Sequence, residues 1–385
     1  MNNQNLPDDW KVLPLSQLGS FSKGKGITKS DLQNEELPCI RYGEIYTLHH
    51  HSVKRFHSFI NTDVARSSKK LKFNDLLFAG SGETLEEIGK AVGYRLKQEA
   101  FAGGDIVILS LKDQYRADYI AYYLNTLGRK QINKLGTGHS VVHIYSRALE
   151  KVFVILPPLH IQESIVEYIE QWDTAIEKTE ALIDAKERQF GWLRSQLIKS
   201  CSGKIYKLEE LEALKIIKLG RGDVISKKDF EKYPGSYPVY SSSVKKNGVF
   251  GKYGKFMFEQ KLITWSIDGG GDFFYRPKHK FSVTNVCGYM TVNEEKLDYA
   301  FLTAQLQLLH ARLVFDYQYK AHPSVIRKIY KAKLPSLEEQ KRIAHILNTA
   351  QQEITLLKKL CRKYRTQKRG LMQKLLSGQR KINHG

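Results

Sequence analysis

An α+β fold is expected, with two strand-rich mixed domains, each followed by one long amphipathic helix, and three observations predict it. Leu156-Pro157-Pro158-Leu159 aligns on Leu334-Pro335-Ser336-Leu337 and Gln162 on Gln340, and the offset of 178 continues without a gap to Leu197 on Leu375. Within those aligned segments apolar residues recur in steps of four and three. Ahead of each segment, the same order of features appears twice with mostly different residues between them.

In the first helix the apolar positions are Ile165, Ile169, Trp172, Ile176, Thr179, Ile183, Phe190, Leu193 and Leu197, interrupted at Lys186. In the second they are Ile343, Leu347, Ala350, Ile354, Leu357, Cys361, Tyr364, Leu371 and Leu375, interrupted at Lys368. Such spacing over five heptads is a coiled-coil seam; the ordinary alternative, a core helix, drifts toward a 3.6 period and is shorter. A proline precedes each helix and suits its first turn, and Gly203 and Gly378 offer left-handed stops. Domain boundaries are placed at 1–157, 158–203 (first helix), 204–334, 335–378 (second helix) and 379–385 (tail).

The globular parts correspond more loosely. Gly24-Lys25-Gly26 followed by Lys29-Ser30-Asp31-Leu32 is echoed by Gly220-Arg221-Gly222 followed by Lys227-Lys228-Asp229-Phe230. A strand ending in a glycine turn follows in both, at Leu76 to Gly82 and Leu262 to Gly271. Short helices are expected at Asp118 to Leu124 and Asp298 to Leu302. Gly138-His139-Ser140-Val141 is matched to Ala321-His322-Pro323-Ser324-Val325.

A chain of 385 residues can bury two cores without metal or disulfide. Cys39, Cys201, Cys287 and Cys361 show no paired spacing, which points to a reducing compartment and away from a zinc ribbon. With no secretory leader and no apolar run near ~18 residues, a cytoplasmic protein is expected. The 61 basic side chains exceed the 40 acidic ones, giving +21. That charge is spread through strand-rich sequence rather than along one mobile amphipathic segment, which favours nucleic acid over a membrane surface.

Several catalytic patterns are incomplete. Gly19 to Lys25 has phosphate-loop spacing, but Gly26 stands where Ser or Thr would hold magnesium, so it reads as a turn. Phe78-Ala79-Gly80-Ser81-Gly82 resembles a glycine loop for S-adenosylmethionine, yet the only Pro-Pro, Pro157-Pro158, is flanked by leucines instead of the residues that grip a target amine. Asp173 and Asp184 lie on one predicted helix, about 16 Å apart, too far to share an ion. His49-His50-His51 has adjacent side chains pointing apart and no partner at ligand spacing, so a basic loop facing phosphate is expected there. No metal site and no active site are expected.

The two helix openings, Leu156 to Glu163 and Leu334 to Lys341, with the closing Gln373-Lys374-Leu375-Leu376-Ser377-Gly378, resemble the conserved regions of type I restriction-modification specificity subunits along the whole chain. The first copy departs with His160-Ile161 where Glu-Glu is usual and with an exit three residues longer. The resemblance implies two target-recognition domains separated by two long helices packed as an antiparallel intramolecular coiled coil, with pseudo-two-fold repetition. It implies a non-catalytic subunit: two methylation subunits would supply adenine chemistry and the S-adenosylmethionine site, and restriction subunits that translocate DNA would bring ATP and magnesium. No cofactor is expected on this chain. The alternatives are a stand-alone DNA-binding regulator or architectural protein braced by its coiled coil, a lone adenine methyltransferase, and a specificity subunit of a fused restriction-methylation system.

On this reading each domain contacts one half of an asymmetric, interrupted target on double-stranded DNA. Lys23, Lys25, Arg41, Lys54 and Arg55 in the first half, and Arg221, Lys245, Lys246, Arg276, Lys278 and Lys320 in the second, are candidates for phosphate or guanine contacts, or else solvated surface charges. The turns Ser81-Gly82-Glu83-Thr84, Thr137-Gly138-His139-Ser140 and Ser241-Ser242-Ser243, with His322, offer short hydrogen-bonding side chains, residues that turns also use for backbone reasons. Tyr240 and Trp265 are candidates for stacking, although a strand aromatic is more often core. The tail after Gly378 is expected to fold back near Trp10 and Leu13.

Overall fold

The structure is a computed structural model describing residues 6–34, 36–82, 84, 87–137, 142–242, 248–268, 272–313 and 320–380. It divides into two compact units, Met1–Lys178 with Cys361–Gly385, and Thr179–Leu360. Each unit therefore owns part of both long helices, Leu159–Ser200 and Leu337–Leu376.

The first unit is built on a four-stranded antiparallel sheet in the order Gly19–Lys23, Ile106–Leu111, Asp75–Ala79, Ala91–Tyr94. Beside it, Leu37–Ile40 runs antiparallel to Ser58–Ile60 and parallel to Phe101–Ala102. A ribbon of Lys11–Pro14 with Phe153–Leu156 leads into the first long helix. The second unit repeats this frame: Ile217–Arg221, Cys287–Val292, Leu262–Ser266, Phe273–Arg276 in the main sheet. Tyr237–Tyr240 again lies between an antiparallel neighbour, Val249–Tyr253, and a parallel one, Ser282–Val283. Lys204–Lys207 pairs with Lys331–Leu334, which leads into the second long helix.

The shared frame corrects two registers that residue type alone had suggested. Gly24 corresponds to Gly222, not to Gly220. At either one an added Cβ would lie 1.9 Å from a carbonyl oxygen, of Gly103 and of Val283, so only glycine fits. Four residues later, Thr28 and Ser226 close the same capping box. Each backbone N–H donates to a carboxylate, that of Asp31 at 2.6 Å and of Asp229 at 2.7 Å. Near the end of each unit, the short helices Ser146–Leu149 and Pro323–Ile329 begin after Tyr145 and His322. His322 thus corresponds to Tyr145, and His139 lies outside the described residues. The stretch read as a turn from Gly19 is strand through Lys23 and turns only from Gly24.

A single glutamine joins sheet to long helix in each unit. Gln162, 1% exposed, accepts the Arg116 N–H at 2.9 Å through Oε1 and donates through Nε2 to the Pro157 carbonyl at 2.8 Å and that of Gln114 at 3.4 Å. Gln340, fully buried, accepts the Asp298 N–H at 2.8 Å and donates to the carbonyls of Pro335 at 3.0 Å and Lys296 at 3.2 Å. An amide side chain offers both an acceptor and two donors, which is what a loop end, a proline carbonyl and a helix start require at one point. The helices that follow are Ala117–Leu124, close to the expected bounds, and Tyr299–His310, which begins where expected but runs eight residues beyond Leu302.

The long helices pack antiparallel. In the first unit Ile165 and Ile169 share a core with Leu371 and Leu375, Trp172 meets Tyr364 edge-on at 5.9 Å, and Ile176 and Cys361 are buried. In the second unit Leu193 and Leu197 pack in the cluster holding Ile343 and Leu347, with Ile183 and Ile354 buried and Leu357 half-buried. The two lysines interrupting the seam are paired: Lys186 Nζ lies 2.8 Å from Glu353, and Lys368 binds Asp173, which also accepts the Tyr122 hydroxyl at 2.8 Å. A charged position in an otherwise apolar seam specifies register, because slipping would strand the charge. All four cysteines are buried thiols outside any disulfide.

Candidate nucleic-acid interface

The basic candidates of the first unit separate into exposed and engaged groups. Lys23 is exposed and lies 3.8 Å from Asp105, and Lys25 is exposed beside the glycine turn. Arg41 is half-buried, its Nε 3.5 Å from a carboxylate oxygen of the buried Glu44. It lines a cavity of about 520 Å³ with Gly26, Tyr42, Gly103 and Asp105. Arg55 is exposed, whereas Lys54 is paired at 2.7 Å with Glu177 on the first long helix. Ser81 is buried and shares a hydrogen bond of 3.0 Å with His143 Nδ1. Thr84 and Thr137 are exposed, and the Thr137 backbone exchanges hydrogen bonds with that of His143. Glu83 and Ser140, like His139, lie outside the described residues.

The three-histidine run is not a basic loop. His49 is buried, and burial pushes its pKa down to about 4. His51 stacks on Tyr122 at 4.2 Å and burial pushes it down to about 3. Both are neutral at pH 7, so of the three only His50 is exposed, and there is no charge cluster for phosphate.

In the second unit Arg221 and Lys278 are exposed, and Lys320 lies 2.9 Å from Asp268. Ser241 and Ser242 are half-buried, and Ser241 accepts a hydrogen bond from the Thr284 hydroxyl at 2.9 Å. Ser243, Lys245 and Lys246 lie outside the described residues. His322 caps the following short helix through Nδ1. Three candidates are corrected. Trp265 is fully buried, donates Nε1–H to the Ala321 carbonyl at 2.8 Å and packs on Gly288, so it is core. Arg276 is also buried: its guanidinium lies 3.8 Å from the Tyr240 ring centroid, and its Nε donates to Thr264 at 2.9 Å. Tyr240 is held under that cation and bonded to His279 at 3.0 Å. Both are buried, Tyr240 between the Arg276 guanidinium and the rings of His279 and Phe281.

Of the first unit's candidates, the exposed Lys23 and the buried Ser81 line one cavity of about 340 Å³, together with Asp105, His143 and Tyr145. His143, Tyr145 and Asp105 carry no sequence signal, since they are placed only when the strand Val142–His143 folds onto Ser81–Gly82. In the second unit the place of Ser81 is taken by Asp268, 2.9 Å from Lys320. Among the described residues no group of three or more His, Cys, Asp or Glu side chains is arranged to hold a metal ion. Nor is any described helix long and apolar enough to cross a membrane.

The family model for type I restriction-modification DNA specificity domains matches the chain twice, over residues 7–185 and 206–363. A Mycoplasma pneumoniae protein assigned as a type I specificity subunit, S.MpnORF615P, is 29% identical over 208 residues, covering 52% of this chain and 81% of that protein. In fold, the chain is similar to the S subunit of a type I restriction-modification system from M. genitalium, with TM-score 0.65, 15% identity, and coverage of 100% of this chain and 99% of that one. It is also similar to the HsdS subunit of Thermoanaerobacter tengcongensis, with TM-score 0.51, 14% identity, and coverage of 98% and 99%.

Proposed function

The chain belongs to the type I restriction-modification DNA specificity family, and we propose that each of its units reads one half of an asymmetric, interrupted DNA target. The observation that carries this is the repeated frame with unlike rims: sheet order, ribbon, capping box and buried glutamine recur, while the exposed polar residues differ. Two unlike readers on one chain select two unlike half-sites, whereas a symmetric homodimer selects a palindrome. The net charge of +21 supplies the sequence-independent attraction to phosphate. A 42-residue helix rises about 63 Å, more than one ~34 Å turn of DNA, so a rod built on it has the reach to set half-site spacing.

In this reading the chain makes and breaks no bonds. Two methylation subunits bring S-adenosylmethionine, and restriction subunits bring ATP and magnesium, to the DNA this chain selects in the cytoplasm. The chain ends also fit a closed arrangement. Gly378, at positive φ, lies against Leu6 and Pro7, and Arg380 and Trp10 line one cavity, so the second long helix ends beside the segment that opens the first unit, as Gly203 leads into Lys204–Lys207. Affinity purification of the full chain from its native cell tests the assembly. A methyltransferase should accompany it at about two to one; recovery of the chain alone would replace this reading with a stand-alone DNA binder, and DNA methylation by the isolated chain would replace it with an enzyme.

A further inference from the structure

The repeated frame allows the rims of the two units to be matched residue by residue, and one pair of positions is joined in both by different chemistry. The anchors are main-chain bonds. In the first unit the Ile144 N–H donates to the Gly80 carbonyl at 3.0 Å; in the second the Ala321 N–H donates to the Ile267 carbonyl at 3.0 Å. One residue away from those anchors, Ser81 matches Asp268 and His143 matches Lys320. Ser81 and His143 share their 3.0 Å hydrogen bond; Asp268 and Lys320 form an ion pair at 2.9 Å. The flanking positions match likewise, Lys23 with Arg221 and Tyr145 with His322.

Resting on the reading that each unit selects a half-site, we propose that His143 with Ser81, and Lys320 with Asp268, are equivalent specificity-determining pairs that read base edges of duplex DNA. A fold that repeats down to its capping boxes has no structural need for a hydroxyl–imidazole pair at one point and a carboxylate–ammonium pair at the same point of its copy. Reading two different sequences does have that need. The first unit's pair opens on the cavity of about 340 Å³, where Tyr145 is 63% exposed with its ring 6.4 Å from that of His143. A Cβ on Gly80 would stand 2.8 Å from the Asp105 carbonyl, which keeps the floor of the cavity bare backbone. Ser81 engages Nδ1 of His143, leaving Nε2 as the group that meets a base, so Ser81 acts as a positioning residue. In the second unit Lys320 is a donor suited to guanine O6 and N7, and Asp268 an acceptor suited to the cytosine amino group, so a G·C pair is expected at that place in its half-site.

The test exchanges the pairs in the full chain, in a host whose own copy of the gene is removed, with methylated adenines mapped across the genome. Ser81→Asp with His143→Lys should shift base preference by about tenfold or more at one or two positions of one half-site and leave the other half-site unchanged. Asp268→Ser with Lys320→His should do the same to the opposite half-site. Half-sites identical to those of the unaltered chain, or both variants altering the same half-site, would overturn the proposal. Should an exchange abolish folding, His143→Gln, which keeps a partner for Ser81, must still relax one position of the first unit's half-site, and an unrelaxed half-site would overturn the proposal equally. If the unaltered chain directs no bipartite methylation, the functional reading itself fails, an outcome distinct from a failed exchange.

Discussion

The connection after the central strand of the second sheet differs between the units in length and in what it touches. In the second unit only residues 241–248 separate the antiparallel strands Tyr237–Tyr240 and Val249–Tyr253. In the first unit residues 41–57 link Leu37–Ile40 to Ser58–Ile60, and they form a short helix, Tyr42–Thr47, before folding inward. His51 and Val53 exchange backbone hydrogen bonds with Gly93, Lys90 donates to the His49 carbonyl at 2.6 Å, His51 stacks on Tyr122, and Lys54 reaches Glu177. Added length at this place braces the first unit against its helices instead of extending a reading loop. Extra basic and histidine residues in one copy of a repeat are therefore poor evidence of contact with DNA.

The sharpest way to break that comparison is acid. His49 and His51 in the first unit's connection have pKa values pushed down by burial to about 4 and about 3, whereas an unfolded histidine sits near 6.5. Below pH 6.5 the unfolded chain takes up protons that the folded unit refuses, so stability falls as pH falls, by about 1.4 kcal/mol per pH unit for each histidine. Hydrogen exchange at pH 7.5 and pH 5 should show protection of Tyr119 to Leu124 declining well ahead of that of Leu262 to Ser266. Equal decline in both segments would remove the brace from the account.

Next in size are the buried glutamines. Replacing Gln162 with Leu strips three hydrogen bonds and leaves backbone groups unpaired, a loss of roughly 2–3 kcal/mol confined to the first unit. Gln340→Leu should cost the second unit a similar amount. Urea unfolding followed by exchange in each unit separates them, and a Gln162→Leu variant that destabilises the second unit equally would contradict the local role.

Smaller effects sharpen the brace and the closure. Lys54→Ala removes an exposed ion pair and should cost under about 1 kcal/mol, with less dependence on salt than the unaltered chain. Deleting residues 379–385 should cost about 0.5 kcal/mol in the first unit and weaken only the half-site it reads. Equal weakening of both half-sites, measured by binding to targets altered in one half at a time, would count against the closure.

The long helices were legible because a seam has one-dimensional periodicity: every four-three position from Ile165 to Leu375 lies buried or half-buried, and both lysines breaking the pattern carry interhelical ion pairs. The globular register was less legible. Gly220-Arg221-Gly222 matches Gly24-Lys25-Gly26 in letters, but what fixes the register is the closeness of a carbonyl to Gly24 and Gly222, which no local pattern encodes. Trp265 and Arg276 could be read either way because aromatic and basic residues suit both interfaces and cores, and only the fold decides, burying Trp265 against Ala321 and Gly288 and Arg276 against Tyr240 and Thr264. His143 and Tyr145 were missed because their neighbours across the cavity are more than sixty residues away in the chain.

The central claim, one frame carrying two different readers, is tested most directly by mapping methylated adenines genome-wide in the native host with and without this gene. The account predicts a single target of two unlike half-sites separated by a constant number of unread base pairs, present with the gene and lost without it. A palindromic or uninterrupted target, or methylation unchanged by removing the gene, would contradict it.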